Sequence, residues 1–305
     1  MTFITITLLI GCDSTEETGS AAMWDSAPLA DISGTCPTID SSQSIQSFTS
    51  NGIEREVQFV LPEDPQPGMQ PIFFFHGLMQ EGSNPTNQMI NSLSLQSVAN
   101  QDNLLFILPV SQVWDLVGQR FHLWNIEQGT EVDDLTLYDD LRTCVAEHFD
   151  VYNSDQIDLD LMSSMGFSGG ALFATVVLSN RSDTLASVVE MSGGADLVVP
   201  GFANPFSVHN PTEKEIPTLL MSGGSADVWP NSSFTIVDFE AATAHLFQEL
   251  KTANHTAVLC SHNNGHTVTQ RGWDQALEWI TNHRFNQPSS YSTSIAEWSD
   301  WCAWE

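Results

Sequence analysis

Ser168 lies in the sequence MGFSGGALF, which contains a Gly-x-Ser-x-Gly pattern. Between a strand and a helix, this pattern places a serine hydroxyl on a sharp turn above the edge of a sheet. Alternating apolar residues at 157–161 predict the strand, and the apolar run 169–178 predicts a buried helix. Gly166 and Gly170 are small enough to let the strand and the helix pass closely. Ser168 is therefore a candidate nucleophile.

A serine hydroxyl is a poor nucleophile at neutral pH, so a base must remove its proton and a third group must orient that base. An apolar run at 219–221 leads into a loop that ends at Asp227, and a later run at 257–259 leads into a loop that contains His266. The carboxyl ends of parallel strands meet at one edge of a sheet. We therefore predict that Asp227 orients His266, and that His266 is the base.

Two neighbouring residues remain alternatives for these roles. Asp196 follows the strand predicted at 188–189, and His262 precedes His266 in the same loop. His266 is preferred because Gly265 allows a turn that can present its imidazole. Either preferred residue could also be an ordinary surface loop residue.

The intermediate of acyl transfer carries a negative oxygen that needs hydrogen-bond donors. The apolar run 72–75 ends in His76-Gly77-Leu78, at the same predicted edge of the sheet. We predict that the backbone amides of Leu78 and Gly169 are the two donors, and that His76 has a structural role. The loop with Cys260, His262 and His266 lacks the further ligands of a tetrahedral zinc site, so neither a metal nor a cofactor is predicted.

Short apolar runs alternate with helical periodicity from about residue 52 onwards, which predicts an α/β fold with a mostly parallel sheet and helices on both faces. The predicted strands are residues 57–61, 72–75, 104–108, 188–189, 219–221 and 257–259. The predicted helices carry the apolar sets Leu137, Leu141, Val145 and His148; Phe239, Ala242, Leu246 and Leu250; and Trp273, Leu277 and Ile280.

Five motifs occur in an order that resembles a known family: FFFHGLMQ, LWNIEQGTEVDD, MGFSGGALFA, LLMSGGSAD and NNGHT. Over about residues 50–285 the chain resembles the secreted α/β-hydrolase esterases grouped with polyhydroxybutyrate depolymerases, feruloyl esterases and acetylxylan esterases. The resemblance implies a triad of Ser168, Asp227 and His266, with Trp124 near the acyl pocket. It also implies hydrolysis of polyester, feruloyl or acetyl esters through an acyl-enzyme, without a cofactor.

Residues 111–131 form a long predicted loop rich in aromatic residues, which makes it a candidate wall of the substrate pocket. Its candidate substrate-binding residues are Trp114, Phe121 and Trp124. The same aromatic side chains could instead seal the core beneath the loop.

The chain has 305 residues, of which 38 are acidic and 8 are basic, and its formal net charge is -30. Such a charge repels a phosphate backbone, so nucleic acid is excluded as a partner. An acidic surface favours solubility, and steering of a cationic substrate is the alternative.

The N-terminus combines an apolar stretch at residues 2–10 with Leu9-Ile-Gly-Cys12, which resembles a bacterial lipobox. We predict a signal peptide at 1–11, lipidation of Cys12, an acidic tether and N-terminal segment at 12–50, and a hydrolase domain at 51–305. The protein would then be exported to the bacterial cell envelope or secreted, with membrane contact only through the lipid anchor. A buried N-terminal strand is the alternative.

The other four cysteines suggest two disulfides in an exported chain, with three possible pairings. They are Cys36, Cys144, Cys260 and Cys302. In the C-terminal tail, Trp298, Trp301 and Trp304 recur at helical spacing, which predicts a docked helix, with a sugar-stacking surface as the alternative.

Two other functions fit parts of this pattern. A serine peptidase could use the same residues, although an amide needs a stronger leaving-group acid and an extended cleft. A non-catalytic lipoprotein could use the fold for binding. Such a protein would tolerate loss of a triad residue, whereas this sequence contains candidates for all three.

Overall fold

The computed structural model describes residues 27–40, 42–116, 118–126, 133–147, 156–196, 214–230, 235–291, 298 and 300–304. The predicted signal peptide at 1–11 and Cys12 lie outside these residues. No helix within them is both long enough and apolar enough to span a bilayer.

The described strands and helices follow the predicted alternation. The strands are β1 (Gln46–Ser50), β2 (Ile53–Val60), β3 (Gln70–Phe75), β4 (Met79–Gln80), β5 (Leu104–Val110), β6 (Val113–Leu116), β7 (Gln119–His122), β8 (Ser163–Phe167), β9 (Ser187–Met191), β10 (Thr218–Ser222), β11 (Val228–Trp229), β12 (Val237–Asp238), β13 (Ala257–Ser261) and β14 (Cys302–Trp304). The helices are α1 (Pro85–Ser92), α2 (Leu95–Asp102), α3 (Asp133–Glu147), α4 (Gly169–Arg181), α5 (Phe239–Thr252) and α6 (Gln270–Thr281).

The central sheet has the strand order β1-β2-β5-β3-β8-β9-β10-β13-β14. Its six middle strands, from β5 to β13, pair in parallel, and the outer pairs β1–β2, β2–β5 and β13–β14 are antiparallel. The mostly parallel α/β sheet predicted from the sequence is confirmed.

Apolar side chains cover both faces of this sheet and form two core clusters. One cluster includes Leu141 of α3, Phe173 of α4 and Leu246 of α5. The other includes Leu95 of α2 and Trp279 of α6. Helices on both faces explain the apolar runs in β3, β5, β10 and β13, because neither side of these strands faces water.

The N-terminal segment packs against α3 and joins the sheet. Cys36 forms a disulfide with Cys144, and Arg142 donates to the carbonyls of Ala27 and Pro28. Strand β1 pairs with β2, so the sheet extends to the N-terminal side of the predicted boundary at residue 51.

The second disulfide joins the C-terminal tail to the edge of the sheet. Cys260 of β13 is directly opposite Cys302 of β14 and is bonded to it. The helix predicted from the tryptophan spacing is wrong at this end, because Trp304 lies on a strand and donates from Nε1 to the carbonyl of Tyr291. Pairing with β13 satisfies the backbone there, and Trp298 is buried.

The strand predicted at 157–161 is also wrong. Residues Leu159–Leu161 form a 3₁₀ helix, whose first turn is capped by the Asp158 carboxylate accepting from the amide of Asp160. Strand β8 begins after this turn, at Ser163.

Candidate active site

Ser168 occupies the sharp turn between β8 and α4, with φ 57° and ψ −125°. Its amide donates to the carbonyl of Met191 at 2.9 Å. A Cβ atom at Gly166 would lie 2.2 Å from the carbonyl oxygen of Gly170, and one at Gly170 would lie 2.1 Å from that of Phe75. The two glycines of the motif are therefore needed because the backbones on either side of the turn touch.

The structure brings Ser168, His266 and Asp227 into one hydrogen-bonded line. The Nε2 of His266 is 2.9 Å from the Oγ of Ser168, and its Nδ1 is 2.7 Å from the Oδ1 of Asp227. Asp227 is fully buried, whereas the side chain of His266 is 20% exposed. An inner carboxylate, a middle imidazole and an outer hydroxyl form the arrangement that activates a serine.

The Asp227 carboxylate has hydrogen-bond donors on both oxygens. Its Oδ2 accepts from the hydroxyl of Ser192 at 2.8 Å and from the amide of Gly223 at 2.7 Å. Burial by itself would raise the pKa of Asp227, but the hydrogen bonds from His266, Gly223 and Ser192 together hold that pKa below its usual value. An ionised Asp227 keeps the proton of a neutral His266 on Nδ1 and leaves Nε2 free to accept one from Ser168.

The two alternative residues have other partners. Asp196 lies 2.8 Å from the Nε2 of His245 on α5. The Nδ1 of His262 accepts from the amide of Asn264 at 3.1 Å, and Asn264 is two residues before His266. His262 thus shapes the loop that carries His266.

The backbones of Gly169 and of Gly77-Leu78 approach each other beside Ser168. A Cβ atom at Gly169 would be 3.5 Å from the nitrogen of Leu78, and one at Gly77 would be 3.2 Å from the Cβ of Ser168. Helix α4 begins at Gly169, where helical amides have no partner within the helix. Neither amide donates a hydrogen bond to another described residue.

His76 fixes the peptide that carries the amide of Leu78. Burial lowers the pKa of His76 to about 4, so its ring is neutral at pH 7. Its Nε2 accepts from the amide of Ser111, and its Nδ1 donates to the carbonyl of Gly77 at 2.7 Å. In a trans peptide the carbonyl and the following N–H point in opposite directions, so the N–H of Leu78 points away from His76.

Trp124 lies in the core, as expected if the aromatic side chains of the loop at 111–131 seal the core. It is 2% exposed, and its ring stacks on Phe173 with centroids 4.8 Å apart. Its Nε1 donates to the carbonyl of His76 at 2.8 Å. The ring therefore supports the loop with Leu78 from below, because an indole N–H buried among apolar side chains needs an acceptor.

The long loop predicted at 111–131 is a hairpin in its first half. Strands β6 and β7 pair there, with Trp114 directly opposite Phe121, and β7 also pairs with β4. Strand β4 begins immediately after Leu78, so this small sheet continues from the edge of the site. Trp114 is 46% exposed and Phe121 is partly buried.

The sequence reasoning missed two groups that contact the site. One is Ser192, which follows β9 at the same edge of the sheet and could have been noticed for that reason. The other is a pair of phenylalanines, Phe167 and Phe239, whose rings stack on the His266 imidazole with centroids 4.8 and 4.5 Å away. No group of three metal-ligating side chains occurs among the described residues.

Neither a protein-family model nor a curated protein matches this sequence. Solved structures do match most of the chain. Native sOPH has a TM-score of 0.67 and 17% identity, covering 90% of this chain and 97% of its own. A pOPH variant in complex with pNPB has a TM-score of 0.60 and 15% identity, covering 84% and 94%. Thermogutta terrifontis esterase 2, phosphonylated by cyclosarin, has a TM-score of 0.54 and 12% identity, covering 78% and 91%. The TM-scores establish a shared fold, and the sequence identities are too low to establish more than that.

Proposed function

We propose that this chain, which has the α/β-hydrolase fold, hydrolyses carboxylic esters through an acyl-enzyme formed on Ser168. The observation that carries the proposal is the line from Ser168 through His266 to Asp227, with two backbone amides beside the serine. The esterase among the structures of similar fold supports the same reaction class.

In the first half of the reaction, His266 acts as a general base. Its Nε2 takes the proton of the Ser168 hydroxyl while the Oγ attacks the ester carbonyl. The carbonyl oxygen becomes negative and accepts from the amides of Leu78 and Gly169. His266 then returns the proton to the alkoxide leaving group, and an alcohol and an acyl-serine result.

In the second half, a water molecule takes the place of the alcohol. His266 removes a proton from the water, the hydroxide attacks the acyl carbonyl, and the proton goes back to the Oγ of Ser168. Asp227 stays ionised throughout and stabilises the imidazolium that forms in each half. Its low pKa suits this role.

Location and substrate are further parts of the proposal. Two disulfides support a protein that works outside the reducing cytoplasm. Export with a lipid anchor at Cys12 is inferred from the sequence, and the ester is of the polyester, feruloyl or acetyl type. Nucleic acid is not a proposed partner, since the formal net charge of -30 repels a phosphate backbone.

Covalent labelling by a fluorophosphonate probe, combined with hydrolysis of p-nitrophenyl acyl esters, tests the reaction. We expect a stoichiometric adduct on Ser168, and we expect Ser168→Ala to lower kcat by roughly four to six orders of magnitude. Ser164→Ala is a matched control, because Ser164 is a buried serine on β8, the strand that leads into the turn of Ser168. A wild-type protein without an adduct, or a Ser168→Ala protein that keeps its activity, would refute the proposal.

The substrate class needs a second comparison. A panel of aryl esters graded by acyl length, with feruloyl and acetyl sugars and one matched amide, reports the acyl preference. Turnover of the amide at a rate comparable to that of its ester would favour the peptidase alternative.

A further inference from the structure

Glu190 is a fully buried carboxyl group in the middle of the sheet, behind the nucleophile turn. It lies on β9, where Gly166 of β8 and Leu220 of β10 are its partners on the neighbouring strands. Its Oε2 accepts from the amide of Gly194 at 2.9 Å, and its Oε1 is 2.8 Å from the hydroxyl of Thr175 on α4. The proposed reaction does not use this group.

The contacts of the Thr175 hydroxyl favour one protonation state of Glu190. This hydroxyl lies 2.8 Å from Glu190 and also 2.8 Å from the carbonyl oxygen of Gly194. A hydroxyl has one proton, and a carbonyl oxygen can only accept. Both contacts are full hydrogen bonds when Thr175 donates to Gly194 and accepts from a protonated Glu190.

The electrostatic surroundings agree with a neutral carboxylic acid. Burial raises the pKa of Glu190 to about 8, against the opposing effect of the hydrogen bonds from Thr175 and Gly194. Helix α4 presents Ala171 and Thr175 to this region, and α5 presents Ala242 and Thr243. Among the described residues on the strands and helices around it, no charged side chain shifts its pKa.

The segment that Glu190 holds contacts both ends of the proposed triad. The carbonyl of Met191 accepts from the amide of Ser168, and the hydroxyl of Ser192 donates to Asp227. Ser192 itself has a positive φ of 54°, a conformation that must be held by its neighbours.

Two helices enclose the rest of this segment. Thr243 of α5 donates to the carbonyl of Gly193, and a Cβ atom at Gly194 would lie 2.2 Å from the backbone of Ala242. On the other side, a Cβ atom at Gly193 would lie 2.7 Å from the Cβ of Ala171. The segment is therefore closely enclosed on two sides, and hydrogen bonds from Thr243 and Thr175 and to Glu190 help to fix its position.

We propose that Glu190, as a neutral carboxylic acid, is a positioning residue that holds residues 191–194 in the conformation that Ser168 and Asp227 require. This inference rests on the proposed ester hydrolysis. Loss of the Glu190 proton would leave Thr175 with two acceptors for one proton and would bury a negative charge that no positively charged side chain among the described residues offsets. The segment would then shift, and Asp227 would lose its contact with Ser192.

The pH dependence of kcat for wild type and Glu190→Gln tests the proposal. Glutamine has the same shape, donates from its amide group to Thr175, accepts from Gly194 and does not ionise. We expect wild-type kcat to fall about tenfold one pH unit above the pKa of Glu190, and Glu190→Gln to keep its kcat there. A variant that follows the wild-type alkaline decline would overturn the proposal.

A spectroscopic measurement on the wild-type protein does not depend on folding of the variant. The infrared carbonyl stretch of a protonated carboxylic acid should disappear as the pH rises, in parallel with kcat. Persistence of the band while kcat falls, or its absence at pH 6, would also refute the role of Glu190. Labelling of Ser168 by the fluorophosphonate at pH 7 separates the role of Glu190 from the proposed ester hydrolysis. A protein that is not labelled at pH 7 would count against ester hydrolysis itself.

Discussion

The ring of Phe239 stacks on the imidazole of His266, with centroids 4.5 Å apart and planes 16° from parallel. Phe167 stacks on the same imidazole at 4.8 Å. Two nearly parallel rings this close can contact one imidazole only from its opposite faces, so His266 lies between two aromatic side chains. This contact limits rotation of the imidazole and keeps its Nε2 directed at Ser168.

Replacing Phe239 with leucine should therefore weaken catalysis more than binding. Aromatic pairs contribute about 0.5–1.5 kcal/mol beyond their buried area, which corresponds to about a 2- to 13-fold decrease in kcat if the contact acts on the transition state. We expect KM to stay the same. Steady-state kinetics on a p-nitrophenyl ester measures both constants.

Phe247→Leu is the matched control for this prediction. Phe247 lies on the same helix and is also buried, at 5% exposed, but it packs in the core away from His266. The Phe247→Leu variant should lose about as much thermal stability as Phe239→Leu while its kcat stays unchanged. Equal losses of kcat in the two variants would mean that Phe239 acts only through general stability.

The disulfide between Cys260 and Cys302 should affect both stability and the site. It closes a sequence separation of 42 residues, for which the chain-entropy estimate is about 4 kcal/mol of unfolding free energy. Strand β13 leads directly into the loop of His266, so the double variant Cys260→Ser/Cys302→Ser should lose activity at temperatures at which it is still folded. Thermal unfolding and kcat, measured together, check this.

The other disulfide provides the comparison. Cys36–Cys144 attaches the N-terminal segment to α3, at a sequence separation of 108 residues. Removing it should lower the unfolding temperature and leave kcat of the folded protein close to that of wild type. If both double variants lost kcat equally, the link between β13 and the position of His266 would be refuted.

The residues that perform the proposed chemistry were the most predictable part of the chain. Ser168, Asp227 and His266 could be chosen because nucleophilic catalysis needs those side chain types, and because parallel strands end at one edge of a sheet. Their supports could not be chosen in the same way. Phe239 and Ser192 are ordinary residue types, and only the packing of α5 and β9 brings them to the site.

Two local errors have physical causes as well. Apolar residues at 157, 159 and 161 alternate as in a strand, but Asp158 bonds to a nearby backbone amide and stabilises a tight turn instead. The tryptophans of the tail repeat at helical spacing, but the disulfide from Cys302 to Cys260 brings this segment to the edge of the sheet. The sequence leaves three disulfide pairings possible, and the local structure of the tail depends on which of them forms.

Gly170→Ala should disrupt the nucleophile turn. The added Cβ atom would lie 2.1 Å from the carbonyl oxygen of Phe75, a backbone atom that cannot move aside easily. We expect a loss of about 3 kcal/mol or more, measured by urea unfolding. Gly169→Ala is the control, since its Cβ would meet only ordinary contacts at 3.5 Å and should change stability by less than about 1 kcal/mol. Similar losses in the two variants would contradict the close contact of strand and helix.

The raised pKa of Glu190 also predicts how the stability of the protein depends on pH. Its ordinary value is 4.5, and burial raises it to about 8 in the folded protein. Between these values the folded state holds a proton that the unfolded state has lost. The contribution of Glu190 to stability is therefore complete below about pH 4.5, decreases as the pH rises, and is fully lost near pH 8.

Glu190→Gln removes this dependence because an amide does not titrate. The unfolding free energy of the variant should rise relative to wild type by up to about 1.4 kcal/mol for each pH unit between pH 5 and pH 8. Urea unfolding of both proteins at pH 5, 6, 7 and 8 measures the difference. A difference that stays constant across these pH values would mean that Glu190 is ionised in the folded protein, because only a proton held by the folded state produces the slope.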